Sequence, residues 1–185
     1  MKKIIYIFLL MFSSKVYAAQ EVVQNLDHSK NNMHVWVNPL GFLVNFANIG
    51  IDFKVKPKWV LGSSLGIFFR TSAANSSDKD VFAKFSVASY LYAREAFIST
   101  SAYFYQQISL LGGQGTIISE GKSTQYLFEP SLGVGYLSLY SSGLTFGLSF
   151  GVGYLFGDEK MIKILNFVTD SRFSVNLGLA VGYCF

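Results

Sequence analysis

The sequence predicts an all-β fold, an eight-stranded antiparallel up-and-down transmembrane β-barrel. Between short polar breaks, large apolar residues alternate with small or polar residues at a period of two, which is the side-chain repeat of a β-strand. Hydrophobic residues make up 51% of the 185 residues and charged residues only 14%, whereas soluble domains carry about 25% charged residues. A chain with this composition needs either an apolar solvent or a very large core.

The first 18 residues have the layout of a secretory signal peptide. Lys2 and Lys3 precede an apolar run from Ile4 to Phe12, and Val16-Tyr17-Ala18 forms a small-residue cleavage site before Ala19. The apolar run is too short to span a bilayer as a helix, and nothing extends it, which disfavours the alternative of an uncleaved anchor. The remaining chain has the size of one domain.

The charge of the mature chain excludes one class of partner. Removal of the signal peptide takes away three lysines, so Lys and Arg fall from 15 to 12 against 11 Asp and Glu, and the net charge is about +1. No cluster of Lys and Arg is interleaved with aromatic residues, and we therefore expect no nucleic-acid binding. The single cysteine, Cys184, excludes an internal disulfide.

The first half of the mature chain contains four predicted strands. The first, MHVWVNPLGFLVNF from Met33, is interrupted by Asn38-Pro39, where we expect a bend or bulge. Three regular strands follow, NIGIDFKVK, WVLGSSLGIFFR and VFAKFSVASYLYAR, separated by the KPK break and by a polar loop near 71–80. Their large apolar faces consist of Ile49, Ile51, Phe53, Val55, Leu61, Leu65, Ile67, Phe69, Phe85, Val87 and Leu91.

The second half contains four more. After a turn near Arg94-Glu95, AFISTSAYFYQQI is a strand whose facing the pattern leaves open, and a polar, glycine-bearing loop is predicted over 111–124. YLFEPSLGVGYLSLY and LTFGLSFGVGYLFG alternate cleanly on either side of Ser141-Ser142-Gly143. A loop over 157–171 leads to the terminal strand, which begins near Arg172 and ends NLGLAVGYCF.

Two other architectures are less consistent with this pattern. The uncharged stretch from Pro130 to Gly157 is long enough for one membrane helix, but its apolar residues recur at two rather than at 3.6 and glycines interrupt it. A secreted soluble barrel would place many aromatic rings in a narrow interior and leave an outside of Gly, Ser and Ala, too poor in charge for solubility. With the large residues turned to lipid, both difficulties disappear.

The closing strand carries the most specific family resemblance. Phe185 at the end of the sequence, with apolar residues at alternating positions before it, is similar to the carboxy-terminal signal that the barrel-assembly machinery recognises; the set is Leu177, Leu179, Val181, Tyr183 and Phe185. The whole mature chain resembles the small eight-stranded outer-membrane barrels of Gram-negative bacteria. VNPLGFLVNFANIGIDF also resembles the opening hairpin of a loosely defined group of uncharacterised outer-membrane barrels.

This resemblance implies a location and a domain division. The expected location is the cell outer membrane, reached by Sec-type export through the periplasm, with outer-membrane lipid, lipopolysaccharide and the barrel-assembly machinery as partners. Residues 1–18 would be the cleaved signal peptide, 19–32 a periplasmic N-terminal segment and 33–185 the barrel. The short turns would then face the periplasm, and an aromatic girdle at that interface would include Trp59, Tyr140 and Tyr183.

The inward-facing charges suggest two roles for the lumen. An interior polar network is predicted from Asp52, Lys54, Arg70, Lys84 and Glu129. These charges either form a salt-bridged, water-poor plug in a barrel too narrow for a wide channel, or line a thin, porin-like pathway for small solutes. The predicted function is accordingly a structural or narrow-pore role.

Two other function classes remain as alternatives. The longer loops would face the outside of the cell. Those over 111–124 and 157–171 contain apolar residues among charges, which suits adhesion or interaction with a host surface. A lipid A-modifying enzyme would need a histidine beside a hydroxyl, and the two histidines, His28 and His34, lie in or beside the N-terminal segment, so we expect no catalytic residues. No metal or cofactor site is predicted, and the G-x-G pairs at 133–135 and 151–153 are strand glycines that make room for larger side chains.

Overall fold

The computed structural model describes residues 31–39, 46–71, 79–117, 121–157 and 172–185. These residues are almost entirely β-strand. The strands are β1 (Met33–Val37), β2 (Phe46–Lys56), β3 (Trp59–Thr71), β4 (Lys79–Tyr92), β5 (Ser101–Ile117), β6 (Gly121–Leu139), β7 (Leu144–Tyr154), β8 (Phe156–Gly157) and β9 (Phe173–Cys184). The predicted signal peptide and nearly all of the predicted periplasmic segment lie outside the described residues.

The strands close into a barrel. Each strand from β1 to β6 pairs antiparallel with the next, β7 pairs with β9, and β9 pairs back with β1. The two-residue β8 pairs with β6, as β7 does, so β7 and β8 are two parts of one barrel strand interrupted at Leu155. The result is a closed eight-stranded antiparallel barrel, which confirms the predicted fold class and leaves no free sheet edge around the pairing circuit.

The two faces of the wall differ as the alternation predicts. In β7, Leu148, Phe150 and Val152 are exposed on the outside, whereas Gly151 and Gly153 are buried inside. The same division holds for the apolar faces of β2, β3 and β4. Large side chains on the outside leave room inside for the few residues that fill a narrow barrel.

The sequence left open which face of strand β5 points outward, and pairing with the neighbouring strands decides it. Phe104, Ile108 and Leu110 are exposed outside, while Tyr105 and Ser109 are buried inside. This strand begins at Ser101, five residues later than predicted, because residues 96–100 belong to the turn that precedes it.

The prediction of a loop over 111–124 is wrong. Strand β5 continues to Ile117, β6 begins at Gly121, and their ladder runs without a break from Ser101↔Leu137 to Ile117↔Gly121. Backbone groups on two strands already held in register go on pairing whatever their side chains are, so a polar, glycine-containing composition does not end the hairpin.

The first strand is shorter than predicted. It ends at Val37, and residues 40–45 lie outside the described residues.

The stretch considered for a membrane helix forms β6, β7 and β8 instead. A tight turn at Ser141 to Gly143 joins the first two, and Gly143 has a positive φ of 86°, a conformation that favours glycine. Among the residues that the structure describes, no helix is long and apolar enough to cross a membrane. The connections over 72–78 and 158–171 lie outside the described residues.

Candidate functional site

The lumen is packed at the end where the short turns lie. The turn-end core is the buried cluster Val60, Tyr92, Ala96, Phe97, Leu137, Leu139 and Cys184. The β4–β5 turn supplies its centre, because Ala96 and Phe97 fold into the barrel and have no exposed surface. The Ala96 N–H donates to the carbonyl oxygen of Pro57 at 2.7 Å, which ties this turn to the β2–β3 turn.

Phe97 occupies its place at a conformational cost. Its φ is 63°, and a non-glycine aromatic residue rarely adopts this left-handed conformation. The ring lies 5.6 Å from that of His34 and 6.1 Å from that of Tyr92, measured between centroids, and the Phe97 carbonyl accepts a bond from the Asn31 side-chain amide at 3.3 Å. Packing on all sides therefore holds Phe97 across the end of the lumen.

Above the turn-end core lies a buried histidine cluster made of His34, Asp52 and Thr145. His34 Nδ1 is 3.0 Å from Asp52 Oδ2, and His34 Nε2 is 2.8 Å from Thr145 Oγ1. His34 and Asp52 are register partners on β1 and β2, and Thr145 reaches the ring from β7. The cluster thus ties the closing seam of the barrel together from the inside.

The order hydroxyl, imidazole, carboxylate is also the order found in hydrolase triads, where the base activates the hydroxyl for attack. Thr145 is only 1% exposed, and it does not line the lumenal cavity that His34 and Asp52 line. A substrate in that cavity would meet the carboxylate and the imidazole before the hydroxyl. The geometry therefore gives the three groups a packing role without exposing a nucleophile.

A second polar group, the glutamate cluster, lies farther along the lumen and consists of Lys84, Glu129, Ser174 and Asn176. Lys84 Nζ donates to Glu129 Oε2 at 2.7 Å, while Ser174 Oγ and Asn176 Nδ2 donate to Glu129 Oε1 at 2.5 and 3.1 Å. The carboxylate is almost wholly buried and the lysine partly so. Both oxygens of Glu129 are therefore satisfied, as a buried charge requires.

The predicted interior network divides into separate contacts among the four residues whose side chains the structure describes. Asp52 belongs to the histidine cluster, and Lys84 and Glu129 pair with each other. Lys54 points to the turn end, where its Nζ lies 3.7 Å from Glu95 Oε1. The backbone of Arg70 pairs with Asp80 in the β3–β4 ladder, and its side chain lies outside the described part of the chain.

Sequence reasoning missed several members of both clusters. His34 was assigned to the edge of the N-terminal segment, because the Asn38-Pro39 break left the register of the first strand undefined. Thr145, Ser174 and Asn176 all occupy the small or polar face of a predicted strand, so their inward direction could have been read from the alternation. Which charge they would meet depends on strands that are distant along the chain.

Tyrosines form the wall of the lumen between the two polar clusters. Tyr90 and Tyr92 on β4 and Tyr103 and Tyr105 on β5 make ring contacts at centroid distances of 5.1 to 6.3 Å. The strand glycines accommodate them: a side chain on Gly135 would meet the ring of Tyr103, and one on Gly133 or Gly151 would meet Tyr105. Three glycines of the two G-x-G pairs thus make room for aromatic rings, and a side chain on the fourth, Gly153, would meet Ser174 and Glu129, in line with the prediction that these glycines make room for larger side chains.

A cavity of about 150 Å³ remains between these groups. Polar and apolar surfaces contribute about equally to its lining, which includes the tyrosines, Trp36, Asn48, Asp52 and Lys84. Within the described ranges, no group of three or more His, Cys, Asp and Glu residues could hold a metal ion. The cavity brings charged and aromatic side chains together inside the described lumen.

The predicted interface aromatics are all exposed on the outer surface at the turn end. Trp59 starts β3, Tyr140 precedes the β6–β7 turn, and Tyr183 lies near the end of β9. The Trp59 indole N–H donates to Ser89 Oγ at 2.7 Å. The three rings therefore lie at one level of the barrel, where an aromatic girdle would sit.

The residues of the predicted assembly signal lie along the outer face of β9. Leu177, Tyr183 and Phe185 are exposed, and Leu179 and Val181 are half-buried on the same face. The Phe185 N–H donates to the Met33 carbonyl at 2.9 Å, and the Phe185 carbonyl accepts from the Asn32 N–H at 2.8 Å. The last residue therefore takes part in closing the barrel seam.

No protein-family model matches this chain, and no curated protein matches it. Among solved structures, the chain is similar to the N-terminal β-barrel domain of OprF from Pseudomonas aeruginosa, with a TM-score of 0.55 and 12% sequence identity, over 84% of this chain and 98% of that domain. At this identity the likeness shows the fold alone. It supports the same conclusion as the strand pairing: the chain folds as a closed β-barrel.

Proposed function

We propose that this chain is an outer-membrane barrel protein with a structural role, whose lumen is closed to through-flow at the turn end. The observation that carries this proposal is the combination of an apolar outer wall with a packed turn-end core. The likeness to the OprF barrel domain supports the outer-membrane location.

The outer wall is suited to lipid. Exposed Leu, Ile, Val and Phe side chains surround the barrel on every strand, and on β3 they include Leu61, Leu65, Ile67 and Phe69. In water such a surface would be one continuous apolar patch, far larger than soluble monomers expose. Against acyl chains it carries no penalty, and every strand backbone within the closed ladder is paired, as a bilayer requires.

The side chains packed in the lumen oppose ion flow. An ion entering from the turn end would have to displace Phe97, which is fully buried, and then pass the contact between His34 and Asp52. Movement past the glutamate cluster would in turn disturb the Lys84–Glu129 pair. Each step exposes a buried charge or empties packed volume, so the closed state is strongly favoured.

The decisive experiment combines location with conductance. Cell fractionation and a gel shift on heating should place a folded barrel in the outer-membrane fraction, and the purified protein in a planar bilayer should stay at baseline conductance. A soluble periplasmic protein without a gel shift would refute the membrane assignment. Single-channel steps from the unaltered protein would refute the closed lumen.

A narrow pore is the second candidate, favoured by the partly polar cavity beyond the turn-end core. Phe97→Ala would remove the ring that fills the core, whereas Phe104→Ala removes a ring of the same size from the outer wall. If a shift of the β4–β5 turn opens a pathway, the first variant should conduct and the second should not.

We propose no catalytic activity, since Thr145 is out of reach of the cavity.

The proposed partners follow from the outer surface. Outer-membrane lipid and lipopolysaccharide would contact the apolar wall, and the barrel-assembly machinery would read the strand that ends at Phe185. Adhesion to a host surface would depend on the far end of the β5–β6 hairpin and on the connections over 72–78 and 158–171, and these two connections lie outside the described residues.

A further inference from the structure

The apolar outer wall of the barrel carries one small group of polar side chains. This wall patch consists of Ser63 on β3, Ser89 on β4 and Gln106 on β5. Each alternates with exposed apolar residues of its own strand, so all three side chains point outward. Ser89 and Gln106 are register partners, and Ser63 lies diagonally across from Ser89, opposite Val87. The three side chains are therefore neighbours on one face of the barrel.

Gln106 is the member of the wall patch that most needs a partner. Ser89 Oγ accepts a hydrogen bond from the Trp59 indole at 2.7 Å, whereas the exposed Gln106 side chain makes no hydrogen bond to any described residue. Exposed Phe104 and Ile108 flank it on β5. In a bilayer, acyl chains offer a carboxamide neither a donor nor an acceptor, and an unsatisfied amide in hydrocarbon is costly.

The chemistry of the wall patch favours a neutral polar partner over a lipid phosphate. Proteins hold phosphate groups with Arg and Lys, but the described side chains that face outward around Gln106 carry no charge; they are Ser89, Phe104, Ile108 and Leu132. A carboxamide is both a donor and an acceptor. Two carboxamides facing each other head to tail satisfy each other through two hydrogen bonds, and a two-fold axis produces this arrangement.

The shape of this face also suits a second copy of the wall. Ser63 and Ser89 are small, and the side chains of Leu61 and Val87 beside them are large. Ser89 and Gln106 line one shallow groove of the outer wall. In membrane helices, small residues between large ones let two surfaces approach closely enough for polar groups to bond, and the same geometry applies to a barrel wall.

We propose that two copies of this chain pair in the membrane through the outer face of β3 to β5, with their Gln106 amides hydrogen-bonded to each other across a two-fold axis. Ser63 and Ser89 of each copy then lie beside the axis. The pairing rests on the proposed membrane location, because only a lipid surrounding leaves Gln106 without water. It does not depend on whether the turn-end core blocks ion flow.

Disulfide formation tests which face pairs. Cys184 is the sole cysteine of the chain, and Cys184→Ala removes it. In that background, Gln106→Cys should give a disulfide-linked dimer when vesicles with a low protein-to-lipid ratio are oxidised, because a two-fold axis brings identical positions together. Val175→Cys is the matched control and should remain monomeric. Val175 is 66% exposed on β9, the strand opposite β4 in the circuit of eight.

Energy transfer tests the unaltered wall patch. Copies labelled at the amino terminus with a donor or an acceptor dye are mixed in lipid vesicles, and the protein-to-lipid ratio is varied to measure association. Gln106→Leu keeps the size of the side chain and removes both hydrogen bonds, so it should weaken association by about ten-fold or more. Val175→Leu, on the opposite wall, should leave association unchanged. A gel shift on heating shows that each variant is folded.

Three results would overturn the pairing while leaving the membrane location intact. A folded barrel in vesicles could show no energy transfer at any ratio. Association could persist in Gln106→Leu, or Val175→Cys could crosslink as well as Gln106→Cys, either of which would place the contact elsewhere. A monomer could instead retain a phospholipid that Gln106→Leu loses, which would assign the wall patch to a headgroup. A soluble periplasmic protein, in contrast, would refute the membrane location and the pairing together.

Discussion

Replacing Glu129 with glutamine removes the charge on which three donors converge. Lys84, Ser174 and Asn176 all donate to this carboxylate, whose side chain is 3% exposed, and the Lys84 side chain is 19% exposed. Removing one partner of a buried ion pair costs about 3–5 kcal/mol. Because Lys84 retains some contact with solvent and glutamine still offers one acceptor oxygen, we expect a loss at the lower end, about 3 kcal/mol.

The measurement is the free energy of unfolding in urea, with the barrel in lipid vesicles and the folded fraction read from its gel shift. Lys84→Met combined with Glu129→Gln removes both charges and should return stability to within about 1 kcal/mol of the unaltered protein. Glu95→Gln is the matched control, because its pair with Lys54 is long at 3.7 Å and the glutamate is 46% exposed. It should cost less than about 1 kcal/mol.

The reasoning would be refuted in either of two ways. Glu129→Gln could leave the free energy of unfolding within about 1 kcal/mol of the unaltered value, which would mean that the carboxylate is well hydrated. Alternatively, the double variant could be as unstable as the single one, which would show that the cost comes from lost shape rather than from an unpaired lysine.

Two further predictions test the wall and its closure. Leu65→Arg, in the middle of β3 and 61% exposed, should lower the free energy of unfolding in lipid vesicles by about 2–4 kcal/mol if the outer face meets acyl chains; a change within about 0.5 kcal/mol would indicate a face in water. Deleting Phe185 removes its hydrogen bonds to Met33 and Asn32 and should reduce the folded barrel in the outer-membrane fraction while export to the periplasm continues. Unchanged outer-membrane levels would contradict the assembly-signal interpretation.

Much of the barrel could be predicted because the alternation of large and small residues is encoded locally. From residue 144 to residue 153 of LTFGLSFGVGYLFG each large residue is followed by a small one, and the structure places Phe150 and Val152 outside and Gly151 and Gly153 inside. A one-residue slip would reverse every side chain in such a strand, so its facing follows from the sequence. Strand β5 lacks this contrast, since large and polar residues alternate less regularly in AYFYQQI.

The candidate site could be predicted only in part, because its contacts join distant segments. Asp52, Lys84 and Glu129 were expected to face inward, but their partners depend on register: His34 and Thr145 meet although they lie 111 residues apart in sequence. Lys54 was grouped with them, yet its position at the end of β2 brings it to Glu95. Alternation gives the direction of a side chain, and strand register and height along the barrel give its neighbours.

The sequence by itself determined the strand repeat, the apolar outer wall and the small inner face, since each follows from residues that are two apart. The tertiary structure alone decided how the barrel closes through β1 and β9, how Phe97 fills the turn end, and how the inward charges divide into two clusters. The physical reason is that hydrogen-bond and ion-pair partners are chosen across strands. Only closure of the barrel fixes the register that brings them together.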